Sequence, residues 1–368
     1  MSRIRVLVAE DSMTVRKRFV EMLATDREIE VVGEAADGKS CIELCRQLRP
    51  DVITLDMVMP VMSGLDATEY IMAYCPTPIL IVSASCNRGD LFKTYAALGA
   101  GAVDVLEKPH SEEEADLWAQ TFIPRVKLVS HIGAITHLRG RLSRGSRDRP
   151  RTTLLAPRPG IEPNDFRLVA IGTSTGGPAA IVEILHNLPS DFPLPILLVI
   201  HISEALGGFL AEWLDSQSPL RVSYAKDGEL LPEVGHGRVI MAPPDRHLVL
   251  CDGHIRLRRT AERHSCRPSV DVLFESLAGE VGKRTVGCLL TGMGKDGAAG
   301  LLDIRNTGGV TLAQDEATSV VFGMPQEAIR LGAAERVLGI QEVAPTLVAL
   351  ARRPVRVSAS GSIEWRTR

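Results

Sequence analysis

The sequence predicts an α/β fold of two doubly wound parallel-sheet domains joined by a linker. Three observations predict it. Short aliphatic runs alternate with amphipathic stretches of helical length over residues 1–128, the alternation dissolves over 129–165, and it resumes over 166–351. The chain has 368 residues, enough for about two to three cores of ordinary size. Its composition, 45% hydrophobic and 24% charged, is that of a packed globule and excludes a wholly disordered or collagen-like chain.

In the first half the predicted strands are Ile4–Ala9, Glu30–Ala35, Val52–Leu55, Ile79–Val82 and Ala102–Leu106, separated by segments of helical length and spacing. The next stretch carries Arg139, Arg141, Arg144, Arg147, Arg149, Arg151 and Arg158 among Pro150, Pro157, Pro159 and Pro163, the composition of a solvated connector. In the second half the predicted strands are Leu168–Ile171, Ile196–Ile200, Val239–Ala242, Val286–Leu290 and Val310–Ala313. Residues 352–368 read as a loose basic tail, with Trp365 its one candidate docking residue.

A net charge of −3 argues against a nucleic-acid partner, because phosphate neutralisation needs a positive surface. Aliphatic stretches such as Ile196–Ile200 fall far short of the roughly 18 residues of a membrane-spanning helix. Met1 leads almost directly into a strand pattern with no export signal, so a cytoplasmic protein without membrane insertion is expected. The seven cysteines, Cys41, Cys45, Cys75, Cys86, Cys251, Cys266 and Cys288, include no Cys-x-x-Cys pair and are odd in number, which reads as buried thiols rather than a disulfide framework. Cys41 and Cys45, four apart on a predicted helix, read as core filler rather than a metal pair.

In the first half, Glu10-Asp11 follow the first predicted strand, Asp56 the third, Ser83 the fourth and Lys108-Pro109 the fifth. Each polar group thus emerges at the carboxyl end of a parallel strand, where open α/β sheets bind ligands. Crowded carboxylates repel one another unless a divalent cation lies among them, and an all-oxygen cluster suits Mg²⁺. Asp56 can then attack a phosphoryl donor, with the metal and Lys108 neutralising the transferring oxygens, to give an acyl phosphate. Any single acidic pair after a strand is usually a helix cap, so the joint spacing is what matters. The acidic pair, LDMVMPVMSGLD, VSAS and EKP together resemble a response-regulator receiver domain over this whole half. The resemblance implies Mg²⁺ held by Glu10, Asp11, Asp56 and the backbone carbonyl of Val58, phosphorylation of Asp56 by a histidine kinase, Ser83 touching the phosphate and Lys108 pairing with it. Val105 stands where many receivers carry an aromatic switch residue.

The second half opens with a predicted strand, then Gly172-Thr173-Ser174-Thr175-Gly176, then a helical stretch. Such a turn lifts a serine hydroxyl clear of the sheet and offers backbone N–H groups to an oxyanion. A glycine-rich phosphate cradle or a plain capped helix is the alternative. Among the histidines weighed as a base, His201 directly follows the strand Ile196–Ile200 and shares the rim with Ser174, whereas His186 lies inside a predicted helix, His131 and His137 border the linker, and His236, His247, His254 and His264 fall in loop-rich sequence. Strand Val286–Leu290 leads into Thr291-Gly292-Met293-Gly294-Lys295-Asp296-Gly297, placing a carboxylate on the same rim. The order Ser174, His201, Asp296 differs from the Ser, Asp, His order of α/β-hydrolases. The same segment spells G-x-G-x-x-G, with Asp315 beyond it, so a dinucleotide site is also legible, although a Rossmann unit normally opens its domain.

Together, AIGTSTGG, the strand-end His201, RPSVDVLFESLA, LLTGMGKDGAAGL and AQDEATSVVFGMP resemble the catalytic domain of the chemotaxis protein-glutamate methylesterase family, and the receiver in front completes that architecture. The resemblance implies Ser174 as nucleophile, His201 as general base and acid, Asp296 as its orienting partner, and an oxyanion hole from the N–H groups of Thr175 and Met293. It further implies demethylation of glutamate methyl esters, and in some members deamidation of glutamines, on chemoreceptor helices, with no cofactor for the ester step; the two-domain layout adds the expectation that the unphosphorylated receiver covers the triad and that phosphoryl transfer to Asp56 loosens that interface. The histidine lies in VIHIS where many relatives have Gln-His-Met. Two rivals are a phosphorylation-dependent binding protein with an inert hydrolase domain and a dinucleotide enzyme. A DNA-binding output is excluded by the lack of a helix-turn-helix module.

Overall fold

The computed structural model describes residues 3–84, 87–109, 115–132 and 166–351. The linker arginines and prolines, Cys86, His137 and the tail with Trp365 lie outside the described residues.

Five parallel strands, β1 (Ile4–Ala9), β2 (Ile29–Ala35), β3 (Val52–Leu55), β4 (Ile79–Ser83) and β5 (Asp104–Glu107), form the first sheet in the order β2-β1-β3-β4-β5. Helices α1 (Met13–Ala24), α2 (Gly38–Leu48), α3 (Gly64–Tyr74), α4 (Arg88–Gly99) and α5 (Ala115–Ser130) connect and flank them. Every residue of β3, VITL, is buried, as a strand covered by helices on both faces requires. The side chains of Asp37, Ser63 and Asn87 accept hydrogen bonds from Ser40 N, Asp66 N and Asp90 N, which starts α2, α3 and α4 at those residues. The strand order reverses between β1 and β3, so a crevice opens at their carboxyl ends.

The second sheet has seven parallel strands, β6 (Leu168–Thr173), β7 (Ile196–Ile200), β8 (Arg221–Tyr224), β9 (Arg238–Met241), β12 (Thr285–Leu289), β13 (Val310–Gln314) and β14 (Arg336–Leu338), with β10 (His247–Cys251) and β11 (His254–Arg258) forming a separate antiparallel hairpin. The order β14-β13-β12-β6-β7-β9-β8 reverses at β6, between β12 and β7. The helices are α6 (Gly177–Asn187), α7 (Glu204–Gly207), α8 (Leu210–Gln217), α9 (Val270–Glu280), α10 (Ala298–Asn306), α11 (Met324–Arg330) and α12 (Ile340–Ala351).

Both sheets agree with the predicted doubly wound class, and three elements go beyond the sequence reading. β8 and β14 are short edge strands with partly exposed positions, so neither shows the aliphatic run that marks a central strand. The hairpin turns at Asp252-Gly253, both with positive φ (51° and 72°), an Asp-Gly signal in a stretch that reads as loop-rich.

The two halves share a core. Helix α4 packs on α6 and α8, and Leu91 and Tyr95 join the hydrophobic cluster of the second sheet. Tyr95 is fully buried, its ring lies 5.6 Å from that of Trp213, and its hydroxyl donates to Leu206 O. Arg88 pairs with Glu212 at the exposed edge of this contact. Among the described residues, no helix is long and apolar enough to cross a membrane.

Candidate active site

The register of the second sheet brings three chain segments side by side. Thr173 pairs with Ile200 at the end of β6 and β7, and His201 N continues that ladder by donating to Thr173 O at 3.1 Å. On the other side Ser174 N donates to Thr291 O at 3.0 Å, extending the pairing of β6 with β12. Gly176 then takes a left-handed conformation (φ 77°), which turns the chain sharply into α6 just after Ser174. A side chain at Gly292 would put its Cβ 2.7 Å from Ser174 Cβ and 2.3 Å from Met324 Sδ, so only glycine lets this loop lie against the serine. A Cβ at Gly297 would meet Leu289 Cδ1 and Val270 Cγ1, each at 2.6 Å. Two of the three glycines of G-x-G-x-x-G thus make room for protein, and Asp315 Oδ1 is taken by Thr318 N and Oγ1, at 2.9 and 2.6 Å. This accounts for the motif without a dinucleotide.

His201 Nε2 lies 2.8 Å from Asp296 Oδ2. Asp296 is buried and fully committed: Oδ2 also accepts from Val270 N at 2.7 Å, and Oδ1 accepts from Ser269 Oγ at 2.7 Å and Asp271 N at 3.1 Å. The carboxylate therefore caps the N-terminus of α9, where backbone N–H groups and the helix dipole favour negative charge. Burial opposes its ionisation, yet His201, Ser269 and Val270 hold its pKa below the usual carboxylate value. Burial also opposes charge on the imidazole, but the hydrogen bonds to Asp296 and Cys266 outweigh it and hold His201 up at about 9. The second ring nitrogen, Nδ1, has Cys266 Sγ 3.6 Å away. Ser174 lines the same cleft as His201 and forms no hydrogen bond to it among the described residues. In free enzymes a nucleophile and its base are often apart and close only around substrate.

Thr175 and Met293 flank the serine in this cleft, and neither backbone N–H donates a hydrogen bond among the described residues. The cleft, about 1020 Å³, has walls from both halves of the chain: Asp104, Lys108, Trp118 and Arg125 on one side, Ser174 and His201 on the other. Thr175 Oγ1 donates to Asp104 Oδ2 across it at 3.4 Å.

In the first sheet the crevice between β1 and β3 gathers the acidic group. Glu10, Asp11 and Asp56 each place one oxygen within 4.8 Å of the others. Lys108 Nζ lies 2.7 Å from both Glu10 Oε2 and Asp56 Oδ2, while Asp56 Oδ1 accepts from Met57 N at 2.7 Å and Val58 N at 3.4 Å. Ser83 closes β4 beside them, buried, and its carbonyl accepts from Lys108 N at 3.0 Å. Burial pushes the Glu10 carboxyl up despite Lys108, and Lys108 is held up by Asp56 and Glu10 against its own burial. One lysine shared by buried carboxylates leaves the all-oxygen cluster electron-rich, a set that fits a hard divalent cation.

Sequence reasoning missed two groups. Ser269, Val270 and Asp271 hold the Asp296 carboxylate; they lie in RPSVDVLFESLA, and the capping pattern of Ser269 before an acidic first turn is the signal that could have given them this role. Reading every cysteine as a buried thiol is corrected by Cys75, Cys251 and Cys266, which are only partly buried; Cys266 lies on the loop 259–267 and lines the cleft. His264, from the same loop, also lines it and bonds the buried Asp271 at 3.1 Å.

Residues 6–117 match the response regulator receiver domain family and residues 169–347 the CheB methylesterase family. The chain is 42% identical over 349 residues to the protein-glutamate methylesterase/protein-glutamine glutaminase 2 of Anaeromyxobacter dehalogenans, covering 95% of this chain and 97% of that protein. It is 40% identical over 359 residues to the protein of the same description, numbered 4, from Myxococcus xanthus, covering 95% and 97%. The solved catalytic domain of Thermotoga maritima CheB is 38% identical and matches with a TM-score of 0.48, covering 50% of this chain and 98% of that one. This chain belongs to the CheB methylesterase family, with a receiver domain ahead of its catalytic domain.

Proposed function

We propose that the protein removes methyl groups from glutamate γ-methyl esters on the cytoplasmic helices of chemoreceptors, and that phosphorylation of its receiver controls the rate. The observation that carries this is the hydrogen-bonded His201–Asp296 pair at the strand end next to Ser174, in a cleft that the receiver helps to wall.

In this reading Ser174 Oγ attacks the ester carbonyl while His201 takes its proton through the nitrogen not engaged by Asp296. Asp296, pinned by α9, fixes the tautomer and stabilises the imidazolium. The oxyanion is received by the N–H groups of Thr175 and Met293. His201 returns the proton to the departing methoxide, methanol leaves, and water, deprotonated by His201, hydrolyses the acyl-enzyme to free glutamate and Ser174. A glutamine amide follows the same path with ammonia as the leaving group.

In the receiver, Glu10, Asp11, Asp56 and the Val58 carbonyl would hold Mg²⁺, which supplies charge neutralisation for phosphoryl transfer. Asp56 accepts the phosphoryl group from a histidine kinase, Ser83 contacts it, and Lys108 exchanges its ion pair with Asp56 for one with the phosphate. Loss of that pair loosens the contact between the halves and opens the cleft to a receptor helix. Methanol release from methylated receptor fragments, with and without a small phosphodonor, tests this. Wild type should accelerate and Asp56→Asn should not; equal response in both would overturn the phosphorylation site.

A further inference from the structure

We propose that the catalytic cleft holds an inhibitory site for a thiophilic divalent cation of the zinc class, with His201 Nδ1 and Cys266 Sγ as its protein ligands. The inference rests on the proposed role of His201 and extends it to the regulation of the same site.

The geometry carries the inference. His201, Cys266 and Asp296 each offer a ligand atom within 4.8 Å of the others. Asp296 itself is not free to ligate, since its two oxygens already accept from Ser269 Oγ, Asp271 N, Val270 N and His201 Nε2. Its role is to fix the imidazole: with Nε2 bound to the carboxylate, Nδ1 is the nitrogen that presents a lone pair to the ion once its proton is displaced. A carboxylate gripping the far nitrogen of a metal-bound histidine is the usual support for such a ligand. The Nδ1···Sγ separation is 3.6 Å. A tetrahedral zinc with a Zn–N bond of about 2.0–2.1 Å and a Zn–S bond of about 2.3 Å holds its nitrogen and sulfur about 3.6 Å apart. The two ligands are therefore spaced for the ion without any rearrangement.

Imidazole and thiolate select zinc over Mg²⁺, whose oxygen cluster lies in the other sheet. The partly exposed Cys266 lines an open cleft, so an ion can enter, and water or the Ser174 hydroxyl can fill the remaining coordination positions. Binding releases to solvent both the thiol proton and the proton that His201 carries below about pH 9, and forms the metal–nitrogen bond with the Nδ1 lone pair that would otherwise take the serine proton. The base is then blocked and ester hydrolysis stops, with no change to the phosphorylation site.

The test uses the full-length protein. Esterase rates are measured against free Zn²⁺, each variant relative to its own zinc-free rate, and Co²⁺ binding is followed by the thiolate-to-cobalt charge-transfer absorption, which needs no turnover. Wild type should lose its rate at low zinc, recover it with EDTA and show the thiolate band. Cys266→Ser and Cys266→Ala should need about tenfold or more zinc for half inhibition and lose the band contributed by this site. Ser174→Ala should keep the band while losing esterase activity, which separates failure of the metal site from failure of the catalytic assignment. Zinc sensitivity unchanged in both Cys266 variants, or a cobalt band identical with and without Cys266, would overturn the proposal.

Discussion

Thr175, beside Ser174, donates its hydroxyl to Asp104 at the start of strand β5 of the receiver, 3.4 Å away across the cleft. The residue proposed to stabilise the oxyanion is thereby tied to the sheet that carries Asp56, the proposed phosphorylation site. A hydrogen bond of this kind contributes about 0.5–1.5 kcal/mol, so Asp104→Ala should raise the unphosphorylated esterase rate by about 2–10-fold. Tyr95→Ala removes a buried ring and its bond to Leu206 O from the middle of the contact and should raise it further, with a smaller remaining response to phosphodonor. Arg88→Ala, which breaks only an exposed ion pair, should change little. Methanol release before and after phosphodonor reads all three; a Tyr95→Ala rate no higher than wild type would separate the contact from inhibition.

Asp296 anchors the imidazole, and α9 anchors Asp296. Asp296→Asn keeps the shape and loses the charge, so kcat should fall by about 10⁴-fold with the fold retained. Ser269→Ala removes one donor from a buried carboxylate, so stability should drop by about 1–3 kcal/mol in denaturant unfolding, with a milder loss of kcat. Equal kcat losses in the two variants would mean that Ser269 does more than support.

With His201 as the proposed general base, its elevated pKa of about 9 should set the pH profile. A general base works in its neutral form, so kcat/KM should rise with pH and level off above about 9. Asp296 and Cys266 both push the value up, so removing either should move the midpoint down. A Cys266→Ala profile with an unchanged midpoint would show that the thiol does not act on the imidazole.

In the proposed function the all-oxygen cluster of the receiver needs a metal and the serine site does not. EDTA should abolish acceleration by phosphodonor, as Asp56→Asn should, while the basal esterase rate should not fall. A basal rate that collapses in EDTA and returns with Mg²⁺ would point to a metal-dependent ester step.

Much of this was legible in the sequence because parallel sheets deliver polar groups to one edge. Glu10, Asp56, Ser174 and His201 directly follow strands β1, β3, β6 and β7, and a strand end is a position that periodicity can find. Asp296 was found by the same logic although it follows β12 by a loop. What could not be read depends on segments meeting in space. Val270 and Asp271 reach Asp296 from 26 and 25 residues away, through the start of a helix. Cys266 sits in a loop with no periodic signal, and only the cleft reveals that its sulfur adjoins His201. The missed strands β8 and β14 lie at sheet edges, where alternate exposure erases the aliphatic run.

The most direct measurement is methanol release from a methylated receptor fragment by wild type and Ser174→Ala, with circular dichroism confirming that both are folded. Wild type should release methanol and Ser174→Ala should fall to background. Turnover by Ser174→Ala within tenfold of wild type, far from the roughly 10⁶-fold loss expected when a catalytic serine is removed, would contradict a serine nucleophile at this strand end.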